Sequence, residues 1–490
     1  MAAATLLIIL LGLLVAYANR ASCSHGAVAV ACPTDPVGPD GQTVGDQFYF
    51  VHRPMGGNGS ITVRVTAMTG TITYPPPNHD QIVAGLVPWA KAGIIIKDGT
   101  AQGSSYAALV ITGGHGVRMQ YDYTRDIAGR SGGVSAQSPR WLRLTRSGAT
   151  ITGYESVDGA QWTKVGTAHL PRLPRTVEVG LLATSPGDVT LHPTGFGGGI
   201  AESRFTQATG VFDNVSLDGA SAEKWSHGSV GEMGHTDWER YHRPPGLVES
   251  DGTFTVTGSG DIGPVGTEGG RSVEDTLLGL AIGLIVVIVV AVRFMTGEYR
   301  PGRAGATPPD GRVLAAKAVV IGAVAFVSGL VAAGVVVPVG TKFLRANGNS
   351  VLAVSALTEL RVIVGAAALL AVAAVFALAL GALLRRTWAA ILVAIPAVVL
   401  PYVLAALPLL PDDVSQGLMR LTPAVGFAVQ QTLHEYPQVV AHYAPSAGYF
   451  PLPWWAGFAV LCGYAAVVLT LAVFRLRRRV VASPPQPKWR

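Results

Sequence analysis

The sequence predicts an α-helical membrane protein of six transmembrane helices, with an all-β sandwich inserted between helices 1 and 2. Three observations carry this. Six long runs hold no charged residue, a polar, Gly-rich stretch (20–272) separates the first run from the other five, and basic residues gather at one set of run ends. Composition agrees. Only 13% of residues are charged, against about 25% in soluble domains, and 49% are apolar. Mean hydropathy is +0.39. No Gly-X-Y period occurs, which excludes collagen, and three Cys are too few for a disulfide scaffold.

The charge-free runs are Ala2–Asn19, Thr276–Val292, Ala318–Thr341, Val362–Leu384, Thr387–Pro411 and Tyr443–Phe474. A bilayer core takes about 20 apolar residues per helix. One charge at its centre costs roughly 3 kcal/mol, so such runs mark spans. They place helix 1 at 1–19 and a five-helix membrane domain at 273–479. Within it the helices are expected at about 273–292, 313–337, 361–384, 387–408 and 454–475. Between lie a leader (20–45), the sandwich (46–218) and a Gly-rich linker (219–272), and 480–490 is a tail.

The run ends set the orientation. Arg293, Arg300, Arg303, Arg312 and Lys317 separate runs two and three, and Arg385 and Arg386 separate runs four and five. Arg475, Arg477, Arg478, Arg479, Lys488 and Arg490 follow run six. The opposite loops, 342–359 and 412–442, hold only Lys342, Arg345 and Arg420. The positive-inside rule puts both termini in the cytoplasm and 20–272 outside the cell membrane. Topology accounts for these clusters, so the net charge of +6 is no argument for nucleic acid. Run one lacks the basic lead-in of a signal peptide, and Arg20 makes the approach to Cys23 a poor lipoprotein cleavage site. A true span is expected, its cytoplasmic lead-in absent or missed at the start codon.

Within 20–272, short β-branched or aromatic runs read as strands. They are Phe48–His52, Ile61–Met68, Gly93–Lys97, Ala107–Thr112, Val117–Tyr121, Trp141–Thr145, Thr150–Ser156, Trp162–Thr167, Val177–Ala183, Val211–Leu217 and, past the sandwich, Thr253–Thr257. Ser147-Gly148 and Asp158-Gly159 supply hairpin turns. Cys23 and Cys32 are a candidate disulfide, since both lie outside, where such bonds persist. Two free thiols in a mobile leader are the alternative. Cys462 lies in run six and is expected reduced.

Trp89–Gly99, Tyr106–Ala108, Gly116–Tyr121, Pro139–Gly148, Gly153-Tyr154, Asp158-Gly159, Trp162 and Phe212–Ser216 resemble successive strands of a concanavalin A-like (laminin G-like) jelly roll. The likeness spans about 46–218. That family often binds glycans and some members hydrolyse them, so the resemblance implies a glycan ligand. Trp89, Trp141, Tyr154 and Trp162 are the candidates to stack on sugar, with sandwich and hairpin packing as the alternative. The hydrolases' Glu-x-Asp-x-x-Glu strand is missing. Glu155 and Asp158 flank a hairpin turn and are wrongly spaced for paired carboxylates, so no glycosidase is expected.

The membrane half carries a second resemblance. Phe294–Gly302, with Glu298-Tyr299-Arg300 and Gly302, followed by Gly311–Lys317, looks like the cytoplasmic turn of actinobacterial type-2 ABC transporter permeases. Ser355–Arg361, Leu421–Ala424 and Tyr436-Pro437 fit the same pattern. Such permeases resemble this chain in having six spans with both termini inside, and some carry a jelly roll between spans one and two. The resemblance implies a permease subunit working as a homodimer or heterodimer with a separate ABC ATPase that touches the Glu298–Gly302 turn. Arg385–Arg386 is too short to offer that partner a surface. Two departures stand out. The family's amphipathic segment before span one is missing, and Pro301, Pro308 and Pro309 shorten the turn.

No G-x-x-x-x-G-K-[ST] occurs, so ATP chemistry must come from another polypeptide. No C-x-x-C, H-E-x-x-H or G-x-S-x-G is present, and His227, His235 and His242 lack ligand spacing, so no metal or cofactor is expected in this chain. Glu359 and Arg361 sit at a membrane rim, where charges are usually solvated. Three readings remain open: an ABC-type exporter permease with an unknown substrate, a membrane-anchored glycan or envelope sensor or adhesin, and a degenerate permease without transport.

Overall fold

The computed structural model describes residues 1–25, 28–30, 32, 34–74, 81–194, 198–221, 223–231, 242–299, 311–407 and 409–482. Its helices are α1 (Ala2–Ala18), α2 (Gly279–Thr296), α3 (Gly311–Ala346), α4 (Ala356–Leu384), α5 (Thr387–Val398), α6 (Leu400–Ala406), α7 (Asp412–Leu421) and α8 (Trp454–Ala482). A β-sandwich occupies the chain between α1 and α2.

Two-residue alternation builds the sandwich. Arg140–Ser147 buries Arg140, Leu142, Leu144 and Arg146 and turns Trp141, Arg143 and Thr145 outward. The inward residues of two facing layers make one core, including Val51, Ile61, Val63, Ile94, Ile96, Leu109, Met119, Leu142, Leu144 and Phe212. Gly153 lies directly against Met119 and Leu109, so strand Thr150–Ser156 packs face to face on strands Val117–Tyr121 and Tyr106–Thr112. The expected strands Phe48–His52 and Ile61–Met68 are halves of one strand, Phe48–Thr73. Its first half pairs with Val177–Thr184 and its second half with Arg140–Ser147. Gly56, Gly57 and Gly59 lie at the corner where the strand changes layer.

The expected linker 219–272 departs most from its reading. Ser226–Val230 pairs with Phe48–His52, and Gly246–Ser250 and Thr253–Gly258 form a hairpin on Gly198–Ala220. Ile262–Pro264 pairs with Val44–Asp46. Glycines made the stretch look loop-like, but its residues close the sandwich. Cys23 and Cys32 are joined as a disulfide with their Cα atoms 5.0 Å apart. In the chain-entropy view so short a loop is worth about 2–3 kcal/mol. Peptide mapping of unreduced protein is expected to find these two thiols joined and Cys462 free; two alkylated thiols at 23 and 32 would contradict the bond.

Among the described residues, five helical stretches are long and apolar enough to cross a bilayer: Gly279–Tyr299, Gly311–Ala346, Ala356–Leu384, Thr387–Ala406 and Trp454–Arg477. These helices place the chain among multi-pass membrane proteins. The first of them starts at 279 rather than 273, because Val273–Leu277 is a 3-10 turn capped reciprocally by Ser272 and Asp275. α3 continues past Pro338 to Ala346 and is about 54 Å long at 1.5 Å per residue. Pro396 and Pro401 split the fourth span into α5 and α6.

α1 is apolar but shorter, at 17 residues. It buries Ala4, Ile8, Gly12 and Ala16, one stripe at four-residue spacing. The small residues let backbones approach, as in other membrane helix pairs. A Cβ on Gly283 would lie 2.2 Å from Ile8 Cγ1, and one on Gly12 2.5 Å from the Thr276 carbonyl oxygen. Gly283→Val is therefore expected to destabilise the bundle by about 1–3 kcal/mol through overpacking, read as a lower thermal midpoint in detergent. An unchanged midpoint would show that α1 does not pack there.

The sandwich sits on the helix ends. Thr43 N donates to Ala353 O at 3.1 Å and Ala353 N donates to Thr43 Oγ1 at 2.6 Å. Arg271 N donates to Ser350 O at 2.8 Å, and the Arg271 guanidinium donates to Asn19 Oδ1 at 2.9 Å.

Candidate functional site

At the far end of the bundle from the sandwich, α2 finishes in the turn Gly297–Tyr299. Lys317, from the second turn of α3, places Nζ 2.5 Å from Glu298 Oε1, 3.0 Å from Phe294 O and 4.6 Å above the Phe294 ring. Arg385, which caps α4 in the left-handed region at φ 59°, stacks its guanidinium 5.1 Å from the Tyr299 ring centre. Thr296 and Thr387 hydroxyls meet at 2.8 Å, and Arg475 Nη1 donates to Leu383 O at 2.5 Å. The turn is thus a junction that ties α2 to α3 and to the α4–α5 corner. Arg300 and Gly302, the other two expected turn residues, lie outside the described residues.

Sequence reading missed Lys317 and Arg385 as members of this junction. It counted both as topology charges and set the Arg385–Arg386 corner aside as too short. The signal was a cation at each neighbouring helix end facing an acid–aromatic pair, which a one-dimensional charge count does not show.

The four candidate sugar-stacking aromatics separate. Trp141 and Tyr154 share the outward face of neighbouring strands, Trp162 stands just before the next strand, Thr163–His169, and all three are half-buried. Arg143 lies 3.8 Å over the Trp162 ring and Arg64 5.8 Å from that of Trp141. Arg64 also grips Asp213 through two hydrogen bonds of 2.7 and 2.6 Å, which hold the Asp213 carboxyl below its usual range. Trp89 is elsewhere. It is 7% exposed, stacked on His115 at 4.0 Å, and packing accounts for it.

Of the two carboxylates near the hairpin, Glu155 is buried and accepts from Arg130 N at 2.7 Å. Asp158 accepts from Gln161 and Ala160 backbone N–H groups, which hold its carboxyl at about 2. His227 bonds Tyr49 Oη at 2.8 Å, and His235 lies outside the described residues. Among the described residues no cluster of His, Cys, Asp or Glu could hold a metal.

Between sandwich and bundle, the segment 429–434 is clamped from two sides. Buried Glu274 accepts from Thr432 N at 3.1 Å and Thr432 Oγ1 at 2.5 Å. Arg361 donates to Val429 O at 3.2 Å and Gln431 O at 2.5 Å. Cavities of about 420 and 460 Å³ flank it and share Thr358, Leu433 and His434.

The sandwich holds a polar cluster that sequence reading did not single out. Strand Lys91–Lys97 is buried throughout, and its terminal lysines point to the same face as Ile95. Lys91 Nζ lies 2.6 Å from both Asp261 Oδ1 and Ile262 O. Lys97 Nζ lies 2.8 Å from Asp46 Oδ2, 3.1 Å from Ser104 O and 3.1 Å from Tyr123 Oη. Burial pushes the Lys97 amine below its usual range, against the pull of Asp46. The available signal was a charge at each end of an otherwise apolar strand, which obliges each lysine to find a partner.

No family model matches the sequence, and no curated protein matches it. Solved structures similar to part of the chain include a functionally unknown protein from Saccharomyces cerevisiae, at 16% identity over 41% of this chain and 92% of that one, TM-score 0.23. Scytalido-glutamic peptidase is similar at 9% identity over 44% of this chain and 98% of its own, TM-score 0.28. A Lotus tetragonolobus seed lectin is similar at 12% identity over 43% and 91%, TM-score 0.19. At these scores neither the peptidase's nor the lectin's activity bears on this chain.

Proposed function

We propose that the chain is the integral-membrane permease subunit of an ABC-type exporter, with α1 as a sixth span, both termini in the cytoplasm and the sandwich outside. A separate ATPase subunit docks on the Glu298–Gly302 turn and supplies the energy. A second permease copy, identical or homologous, completes the pathway. The observation that supports this most is the junction at α2's end. A load on Glu298 or Tyr299 passes to α3 through Lys317 and to the α4–α5 corner through Arg385. The sparse polar residues within the spans favour an apolar or amphipathic cargo over an ion. The test is co-expression with candidate P-loop ATPases, followed by co-purification and an ATPase assay in lipid. A stable complex with lipid-dependent turnover is expected; a chain that purifies without any ATPase sinks the reading.

A second reading, a glycan-binding surface, is favoured by one observation: Trp141 and Tyr154 share one outward face with Arg64 and Arg143, and Arg143 lies over the Trp162 ring. The double variant Trp141→Ala/Trp162→Ala is expected to weaken binding to an envelope polysaccharide at least tenfold, about 1.4 kcal/mol. Equal retention of wild type and variant on the same polysaccharide would dismiss the surface.

A further inference from the structure

Lys97 and Asp46 form an unusually dry pair, since both side chains are 0% exposed. Their surroundings are asymmetric. Asp46 Oδ2 accepts from Lys97 Nζ, Gly103 N and Tyr123 Oη, each at 2.8 Å. Asp46 Oδ1 is buried and meets no donor among the described residues. The rings of Tyr106 and Tyr123 lie 5.8 and 5.6 Å from Nζ, and Tyr123 reaches the site from the left-handed region at φ 67°. An ordinary ion pair would gain from donors on both oxygens. A site that concentrates three donors on one oxygen and leaves the other bare is built for a different bond.

We propose that Lys97 and Asp46 join in an intramolecular amide bond, a covalent cross-link within the sandwich. Transfer of one proton along the hydrogen bond turns the pair into an amine and a carboxylic acid. The Nζ lone pair attacks Asp46 Cγ. Oδ2, which received that proton, is polarised as the leaving oxygen by its Gly103 N–H and Tyr123 O–H bonds, and Oδ1 becomes the amide carbonyl oxygen. Tyr123 accepts from Nζ at 3.1 Å while donating to Oδ2, so it relays the proton between them. Oδ2 departs as water, carrying the acid proton and one amine proton relayed through Tyr123. The balance is one amine plus one acid giving one amide plus one water, with no oxidant and no energy donor. Exclusion of water from the site favours condensation over the reverse hydrolysis.

The neighbouring pair is an internal control. Lys91 faces Asp261, whose side chain is 25% exposed, so water reaches it and the pair stays ionic. The bond would tie strand Lys91–Lys97 to strand Val44–Asp46, which is not its partner in the sheet.

The test is peptide mapping of the full chain, purified from membrane in detergent and digested with trypsin. Arg53 precedes Pro54 and resists cleavage, so Asp46 lies in peptide 21–64, and an amidated Lys97 is left uncut inside 92–118. The expected species joins 21–64 to 92–118 and is lighter by one water than their sum. Recovery of free 92–97 in full yield, with no joined species, overturns the proposal. Lys91 is expected to be cleaved normally in the same digest. Tyr123→Phe keeps the ring and removes the relay. It is expected to lower the joined fraction at least tenfold while the Cys23–Cys32 disulfide, read in the same map, stays formed. Full joining in that variant would remove Tyr123 from the step.

Discussion

Asp46→Ala is expected to destabilise the sandwich by about 3–5 kcal/mol, the range for removing one partner of a buried ion pair. The variant leaves Lys97 at 0% exposure with its charge opposed by no carboxylate in contact. It also strips the acceptor from Gly103 N and leaves Tyr123 Oη with Ser104 O alone as acceptor. Any covalent bond between the two residues would be lost with it. Asp261→Ala is expected to cost less, because Asp261 is 25% exposed and water replaces part of its role at Lys91. Thermal unfolding of the two variants in one detergent checks the order. The paired replacement Lys97→Met/Asp46→Leu, which removes both charges and roughly keeps volume, is expected to recover most of the loss. If Asp46→Ala proves no worse than Asp261→Ala, the dry pair is not an anchor.

The second large effect concerns the junction at α2's end. Tyr299→Ala with Arg300→Ala is expected to abolish co-purification of the partner ATPase while leaving membrane insertion intact, since Arg293, Arg303, Arg312 and Lys317 still mark the loop. Tyr and Arg are over-represented among residues that dominate interfaces. Lys317→Ala separates binding from transmission. It spares Tyr299 but cuts the 2.5 Å link from Glu298 to α3, so the ATPase is expected to stay bound and lose most of its lipid-dependent stimulation. Full coupling in the double variant would remove the main support for the permease reading.

The sequence carried the sandwich strands well because each alternates about a buried face, as Arg140–Ser147 does. Charge-free runs likewise marked the five long helices, with ends displaced where a capped turn, as at Ser272, or a tolerated proline, as at Pro338, shifted them. What failed to show was pairing over distance. Phe48–Thr73 looked like two strands because its glycines mark a corner as readily as a loop. Strand Thr253–Gly258 was legible, but Ser226–Val230 and Ile262–Pro264 hid in Gly-rich sequence because their partners lie up to about two hundred residues upstream, as Val44–Asp46 does for Ile262–Pro264. The site residues divide the same way. Glu298 and Tyr299 stood out by local chemistry, whereas Lys317, Arg385, Lys97 and Asp46 gain meaning from neighbours 19, 86, 51 and 51 positions away.

The two segments that run between bundle and sandwich end in strands Val44–Asp46 and Ile262–Pro264, which pair with each other, and each is gripped by one end of Lys91–Lys97. Two separate single-chain tethers would swivel. A ladder bolted at both ends to one rigid bar resists torsion, so the sandwich cannot spin freely on its stalk. A slide of α1 against α2 by one helical turn, about 5.4 Å, would have to shear that ladder or carry the whole sandwich with it. The mount therefore couples a slide of α1 against α2 to tilt of a rigid body at the opposite end of the bundle from the Glu298–Tyr299 junction.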